Sequence, residues 1–244
     1  MDIRNKIAII TGASSGIGKA TAELFAQKGA KVALVARSKE KLEELAAQLP
    51  GSAVFVCDMT KTFQVKRTVD DVARHFGAID VLVNNAGQGY DAPVEKTDID
   101  ILRYIFELTV VGPVVAMQAA IPIMRKQGGG AILNMSSGTA LMHLPNNGAY
   151  ASMKRAIADM SLMAREELKK DNITIGTIYP YITATEFEKN TIREGDLAKD
   201  WEEPSGPQPP DSAEFVAQKI LEGIESGAAE IIPHEWMRSM RRQA

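Results

Sequence analysis

Short apolar runs rich in β-branched residues alternate along this chain with longer segments of helical periodicity, a pattern that confines it to folds built from βαβ units. The runs at 6–11, 31–36, 53–57, 81–84, 131–135, 174–178 and 230–232 predict strands. They are apolar almost without interruption, as parallel strands covered on both faces should be. Helical patterns fall between them at 17–28, 39–48, 63–76, 99–126, 150–170 and 212–225. Asp211, followed three residues on by Glu214, reads as a capping box opening the last helix. The expected fold class is α/β with a parallel sheet, and no repeat or linker divides the chain, so residues 1–244 are read as one domain.

Two stretches break the pattern. Residues 186–210 are charged and rich in Pro and Gly around a lone Trp201. A long loop after a strand end reads as a lid over a ligand, with disorder as the alternative. The tail, 234–244, carries Trp236, Met237, Met240 and three arginines, and fits either an interface strip or a frayed end.

Composition excludes several functions. At 244 residues, 45% hydrophobic and 24% charged, the chain can fill one globular core. The net charge is -3 and the cations are scattered, which leaves no footprint for nucleic acid. Cys57 is the only cysteine, so there is neither an intrachain disulfide nor a cysteine-based metal site, and no metal is expected. MDIRNK leads into the first strand without a signal-peptide core, and no run of about 18 apolar residues suggests a membrane span. The expected location is the cytoplasm, with no membrane partner.

The first predicted strand runs into TGASSGIG, where Gly12, Gly16 and Gly18 allow a tight turn and a close backbone approach to a pyrophosphate at a helix N-terminus. The spacing GxxxGxG differs from the commonest dinucleotide fingerprint, and a purely structural turn is the bland alternative. At the end of the second strand an acidic residue would bond a ribose 2′-hydroxyl and repel a 2′-phosphate. The chain has Ala36 and Arg37 there instead. A guanidinium suits a phosphate, so NADP(H) is the expected cofactor, against the alternative of a solvated arginine. In YASMK, Tyr150 and Lys154 stand four apart on one face of a predicted helix. A neighbouring ammonium would be expected to lower the phenol pKa.

TGASSGIG, NNAG at 84–87, Ser137 in NMSSG and YASMK occur in this order across nearly the whole chain. Together they resemble the short-chain dehydrogenase/reductase family. The resemblance implies a Rossmann-type, doubly wound sheet of about seven strands with helices on both faces. It implies a small carbonyl or alcohol substrate, with Ser137 hydrogen-bonding the substrate oxygen and Tyr150 exchanging its proton. Lys154 would also grip the nicotinamide ribose. Ser14, Ser15 and Ile17 would join the three glycines around the cofactor, Asp58 and Met59 would flank adenine, and Asn85, Ala86 and Gly87 would line the site. Pro180, Thr183 and Thr185 match positions facing the nicotinamide amide and the phosphates. A homo-oligomer, tetramer or dimer, is implied with the helices at 99–126 and 150–170 in its interface.

The chain departs from the family pattern twice. Thr109 replaces the usual Asn of the proton relay, although its backbone carbonyl could still hold a water. Tyr181 replaces a Gly after Pro180 and adds bulk near the pocket. Gln88, His143 and Tyr181 are the candidate substrate contacts, among the segments 88–91, 140–147 and 186–210. These departures keep one rival open, a catalytically weak NADP(H)-binding regulator on the same fold. A methyltransferase on a similar sheet leaves YASMK and Arg37 unexplained.

Overall fold

The computed structural model describes residues 1–198 and 207–240. Part of the expected lid, with Trp201, and the last four residues of the tail lie outside the described residues. In chain order the strands are β1 (Ile7–Thr11), β2 (Lys31–Ala36), β3 (Ala53–Val56), β4 (Val81–Asn84), β5 (Tyr90–Asp91), β6 (Gly130–Met135), β7 (Ile173–Ile178), β8 (Ile192–Arg193) and β9 (Glu230–Ile231). Seven of them form one sheet in the order β3-β2-β1-β4-β6-β7-β9, with every neighbouring pair parallel. The helices are α1 (Gly16–Gln27), α2 (Lys39–Ala46), α3 (Thr62–Phe76), α4 (Ile99–Phe106), α5 (Gly112–Lys126), α6 (Gly148–Leu168), α7 (Ala213–Ser226) and α8 (Glu235–Met240).

The apolar strands are explained by the layers on each side. Successive side chains of a strand point to opposite faces. Ala8 and Ile10 of β1 join Phe25 of α1, Leu42 of α2 and Val216 and Ile220 of α7 in one core. Ile7 and Ile9 join Val69 of α3, Met117 and Met124 of α5 and Ile157 of α6 in the other. Winding reverses between β1 and β4, so the loops leaving their carboxyl ends diverge and open a crevice.

Three details differ from the sequence expectation. The helix read over 99–126 contains a π-helical turn, Glu107–Val111, between α4 and α5. The continuous run Ile99–Lys126 contains an 18-residue window of mean hydropathy 1.6, enough by composition to cross a bilayer, yet half of that window is buried, so it reads as a core helix. Ser212, not Asp211, caps α7, its hydroxyl accepting from the Phe215 N–H at 3.1 Å. Asp211 turns away because His234 Nε2 lies 2.8 Å from its Oδ2. The tail is neither frayed nor free over its described part: α8 buries Met237 against Leu141 and Tyr179.

Candidate active site

The Gly-rich turn closes the amino side of the crevice. Gly12 and Gly16 have φ of 69° and 52°, in the left-handed region that penalises a Cβ. Gly18 is required by space, since a Cβ there would lie 2.2 Å from the Gly12 carbonyl oxygen. Ser15, at the N-cap of α1, makes no capping bond and no acidic residue follows in the first turn. The positive end of the helix therefore faces the crevice with its amides uncapped by side chains, as an anion site requires. Ser14 and exposed Ser15 lie at its mouth, and Ile17 packs against the core. Thr185 is brought here too, its Cγ2 3.2 Å from where a Cβ on Gly16 would sit.

The loop after β4 is locked to this turn through Thr11, a residue the sequence reading did not single out. Its hydroxyl accepts from the N–H groups of Asn85 (2.9 Å) and Ala86 (3.1 Å). The Asn85 side chain donates back to the Thr11 carbonyl at 2.9 Å. A hydroxyl ending an otherwise apolar strand was the available signal. At the end of β2, exposed Arg37 makes no hydrogen bond or ion pair among the described residues. Asp58 lies beyond β3. Burial would raise its pKa, but bonds from the Thr60 N–H (2.9 Å) and hydroxyl (2.8 Å), with Arg37 and Lys61 nearby, hold it below the usual range. Met59 is buried, and its carbonyl would lie 2.4 Å from a Cβ on Gly112, so only glycine lets α5 pass.

The three candidate catalytic side chains converge from two elements. Tyr150 and Lys154 are successive turns of α6, and Ser137 follows β6. Ser137 lies close enough to the Tyr150 phenol to lower its pKa, and the Ser137 oxygen accepts from the Thr139 N–H (3.2 Å) and hydroxyl (3.0 Å). Ser136 clamps the two elements by donating to the Lys154 carbonyl at 2.8 Å. Lys154 Nζ stands 5.7 Å from the Tyr150 ring centre and 3.6 Å from a Cβ placed on Gly87, an ordinary contact distance that sets the ammonium beside the loop after β4.

The expected lowering of the tyrosine pKa is not found. Burial pushes the Tyr150 phenol well above its ordinary value, opposed by Ser137 and reinforced by Glu188 and Asp91. Burial also pulls Lys154 down to about 8. The reason is geometric. Lys154 Nζ donates to the Met135 carbonyl at 2.8 Å rather than to the phenol, and two groups removed from water both favour their neutral forms.

The candidate substrate contacts separate. Gln88 stays beside the site, donating to the Asn190 carbonyl at 2.5 Å and so tying the loop after β4 to the expected lid. The described part of that lid is ordered by β8, which pairs with β5, and by Phe187, whose ring centre is 5.9 Å from that of Tyr150. Tyr90, placed by the sequence among the pocket residues, is fully buried instead, its hydroxyl accepting from the Asp98 N–H at 2.7 Å. Tyr181 packs edge-on against Trp236 at 5.2 Å, and its hydroxyl donates to the Gln208 carbonyl at 3.3 Å. It thus joins the tail cluster. His143 lines a cavity of about 250 Å³ with Arg155, Asp159 and Tyr179, in whose wall neither Ser137, Tyr150 nor Lys154 takes part. The Pro180 carbonyl accepts from the Gly138 N–H at 2.7 Å, which fixes the Ser137 loop against β7, and Met237 packs on Gly138 from the other side. Thr183 donates to the Tyr181 carbonyl at 2.8 Å.

Residues 6–195 match the family model described as short chain dehydrogenase. A D-threitol dehydrogenase of Mycolicibacterium smegmatis is 37% identical over 75% of this chain and 72% of its own. Among solved structures, L-sorbose reductase from Gluconobacter frateurii, complexed with NADPH and L-sorbose, is 30% identical with a TM-score of 0.84, covering 95% of this chain and 97% of that one. A 3-ketoacyl-(acyl-carrier-protein) reductase from Brucella melitensis, complexed with NADH, is 25% identical with a TM-score of 0.85, covering 94% and 97%.

Proposed function

Because the chain belongs to the short-chain dehydrogenase family, we propose that it is an NADP(H)-dependent oxidoreductase acting on a carbonyl or secondary alcohol, with Tyr150 as the general acid or base. The family makes it an oxidoreductase of carbonyl and alcohol groups that uses a nicotinamide cofactor. The phosphorylated cofactor and the individual residue roles are our reading. The observation that carries it is the convergence of Ser137, Tyr150 and Lys154 beside Gly87, at the carboxyl edge of the sheet next to the Gly12–Gly18 turn.

The residues fit such a cofactor: a turn whose glycines tolerate no Cβ, an uncapped helix N-terminus, and Arg37 without a hydrogen bond or ion pair among the described residues, where a 2′-phosphate would lie. The relatives carry NADPH in one case and NADH in the other, so the choice rests on Ala36 and Arg37. When bound, the nicotinamide supplies or accepts the hydride. Ser137, whose oxygen already accepts twice from Thr139, has its own proton to give and holds the substrate oxygen. Tyr150 gives its phenol proton to that oxygen in reduction and takes it back in oxidation. Lys154 holds positive charge beside the resulting phenolate. Purified chain supplied with NADPH and a broad carbonyl panel should oxidise the cofactor with at least one member. Tight NADPH binding with no turnover anywhere in the panel would favour the regulatory alternative.

The pH profile follows from the same groups. Below pH 8 Lys154 is an ammonium and Tyr150 a phenol, the pair needed to protonate a carbonyl oxygen. Carbonyl reduction, measured where chemistry limits the rate, should fall as pH rises through about 8, when Lys154 loses its proton. A rate that stays flat well above that value would remove Lys154 from the step.

Thr109 contributes its backbone rather than its hydroxyl. The buried Oγ1 donates to the Ile105 carbonyl one turn back, at 2.6 Å. Pro113, four residues ahead, has no N–H, so the Thr109 carbonyl lacks an α-helical donor and can hold a relay water. Thr109→Val should cost about 0.5–1.5 kcal/mol of stability, from the lost bond to Ile105, and leave kcat unchanged. A lower kcat with the fold intact would place the hydroxyl in the relay. Exposed Ile99, Phe106, Met160 and Met163 on α4 and α6 support a homo-oligomer, dimer or tetramer, that covers them. A cytoplasmic setting is supported only by the single cysteine, Cys57, which is buried as a thiol.

A further inference from the structure

The segment after β7 returns to the catalytic helix carrying charge. Phe187 lies against Tyr150, and its neighbour Glu188 faces Arg193, whose Nη2 is 3.6 Å from Glu188 Oε2 and whose Nε is 3.7 Å from Asp91 Oδ2. The guanidinium is fixed in place: its side chain is 10% exposed and donates to the carbonyls of Glu188 (2.9 Å) and Thr191 (3.2 Å). Pairing of β5 with β8 sets Asp91 opposite Arg193. Asp91 also accepts from Asn147 Nδ2 at 2.7 Å, and Asn147 is the residue that opens α6. Three charges are thereby anchored to the helix that presents Tyr150.

Among the described residues the cluster sets one guanidinium against two carboxylates, a net negative charge. Separations of 3.6 and 3.7 Å are ion-pair distances, too long for hydrogen bonds. The Glu188 carboxylate accepts no hydrogen bond among the described residues, although burial and then the Asp91 charge push its pKa up against the opposing effect of Arg193. In the same cluster the Asn147 Oδ1 is buried and has no partner among the described residues. The Glu188 carboxylate, part exposed, rich in lone pairs and poor in donors, is complementary to a ligand that brings O–H groups. A hydroxyl suits the cluster better than an ammonium, because an ammonium incurs a far larger desolvation cost on entering a half-buried site.

We propose that Glu188 determines specificity, accepting a hydrogen bond from a substrate hydroxyl near the reacting carbon, so that the site takes uncharged polyols and hydroxyketones and rejects carbonyl compounds bearing a carboxylate. This rests on the oxidoreductase reading above. A charge-assisted bond of this type corresponds to roughly ten- to a hundredfold in kcat/KM. The net negative charge supplies the rejection, since an anion in a half-buried site meets little screening.

The test compares erythrulose, butanone and acetoacetate, which share a chain length and differ in hydroxyls and charge, with the full chain and NADPH. The wild type should prefer erythrulose to butanone by tenfold or more and take acetoacetate worst. Glu188→Gln, of equal size, should lower the erythrulose-to-butanone ratio and raise acetoacetate relative to both. Glu188→Ala removes the remaining neutral acceptor and should lower the ratio about tenfold or more. An unchanged ratio in both variants, or acetoacetate used by wild type as well as erythrulose, overturns the proposal. If the wild type turned over no carbonyl in any panel, the oxidoreductase reading would fail, and this assignment with it.

Discussion

Tyr150→Phe should lower kcat by about 10² to 10⁴, the usual worth of general acid-base help, while leaving the fold and NADPH affinity intact. The expectation follows from what the phenol does in the structure. The ring packs against Phe187 at 5.9 Å and Phe would keep that contact, whereas the hydroxyl lies beside Ser137. Nothing in the core depends on it. Because burial holds the phenol well above its ordinary pKa, it carries its proton at neutral pH and is ready to act as an acid. Retention of more than half the wild-type kcat, with chemistry limiting, would contradict the assigned role.

The second large effect concerns the cofactor. NADPH should bind more tightly than NADH by about ten- to fortyfold, the lower half of a charge-assisted bond's range, because Arg37 is exposed and its charge is screened. Replacing Ala36 by Asp and Arg37 by Ile should reverse the preference, with the new carboxylate accepting from the ribose hydroxyls and repelling the phosphate. Ala36 is 8% exposed, so the aspartate also costs stability, and the affinity ratio is the quantity to compare. Titrations at two salt concentrations add a second reading, since a phosphate contact weakens as salt rises. Equal affinities in the wild type, or an unchanged ratio in the double variant, would remove Arg37 from cofactor choice.

Six strands of the main sheet were legible because each is long enough to show a continuous apolar run between helical periods, and the two-residue β9 was legible because Ile231 and Ile232 follow the last helical pattern. β5 and β8 were not, since two residues carry no period, and their pairing depends on a segment that read as a lid with little helical or strand periodicity. The same reason hid Glu188 and Arg193, whose partner Asp91 lies about a hundred residues earlier and meets them only in the fold. Spacing brought Tyr150 and Lys154 to one helix face. It carried no information on burial, and burial, with the Met135 carbonyl drawing off Lys154, decides both pKa directions. Tyr181 read as a pocket residue because the strand end was visible and the tail was not. Trp236 and His234 form the surface it packs on. Asp211 shows the limit of local signals: its capping pattern was present, and a histidine more than twenty residues away took the carboxylate.

The central claim is hydride transfer between the nicotinamide and a substrate carbon, with Tyr150 moving the proton. It is tested most directly with NADPH carrying deuterium at the transferable nicotinamide position and a carbonyl that the wild type reduces. The account predicts deuterium on the carbinol carbon of the product with the wild type, and formation of that product slowed by about 10² or more with Tyr150→Phe at unchanged NADPH affinity. Product that carries no deuterium, or labelled product formed equally fast by the variant, would contradict it.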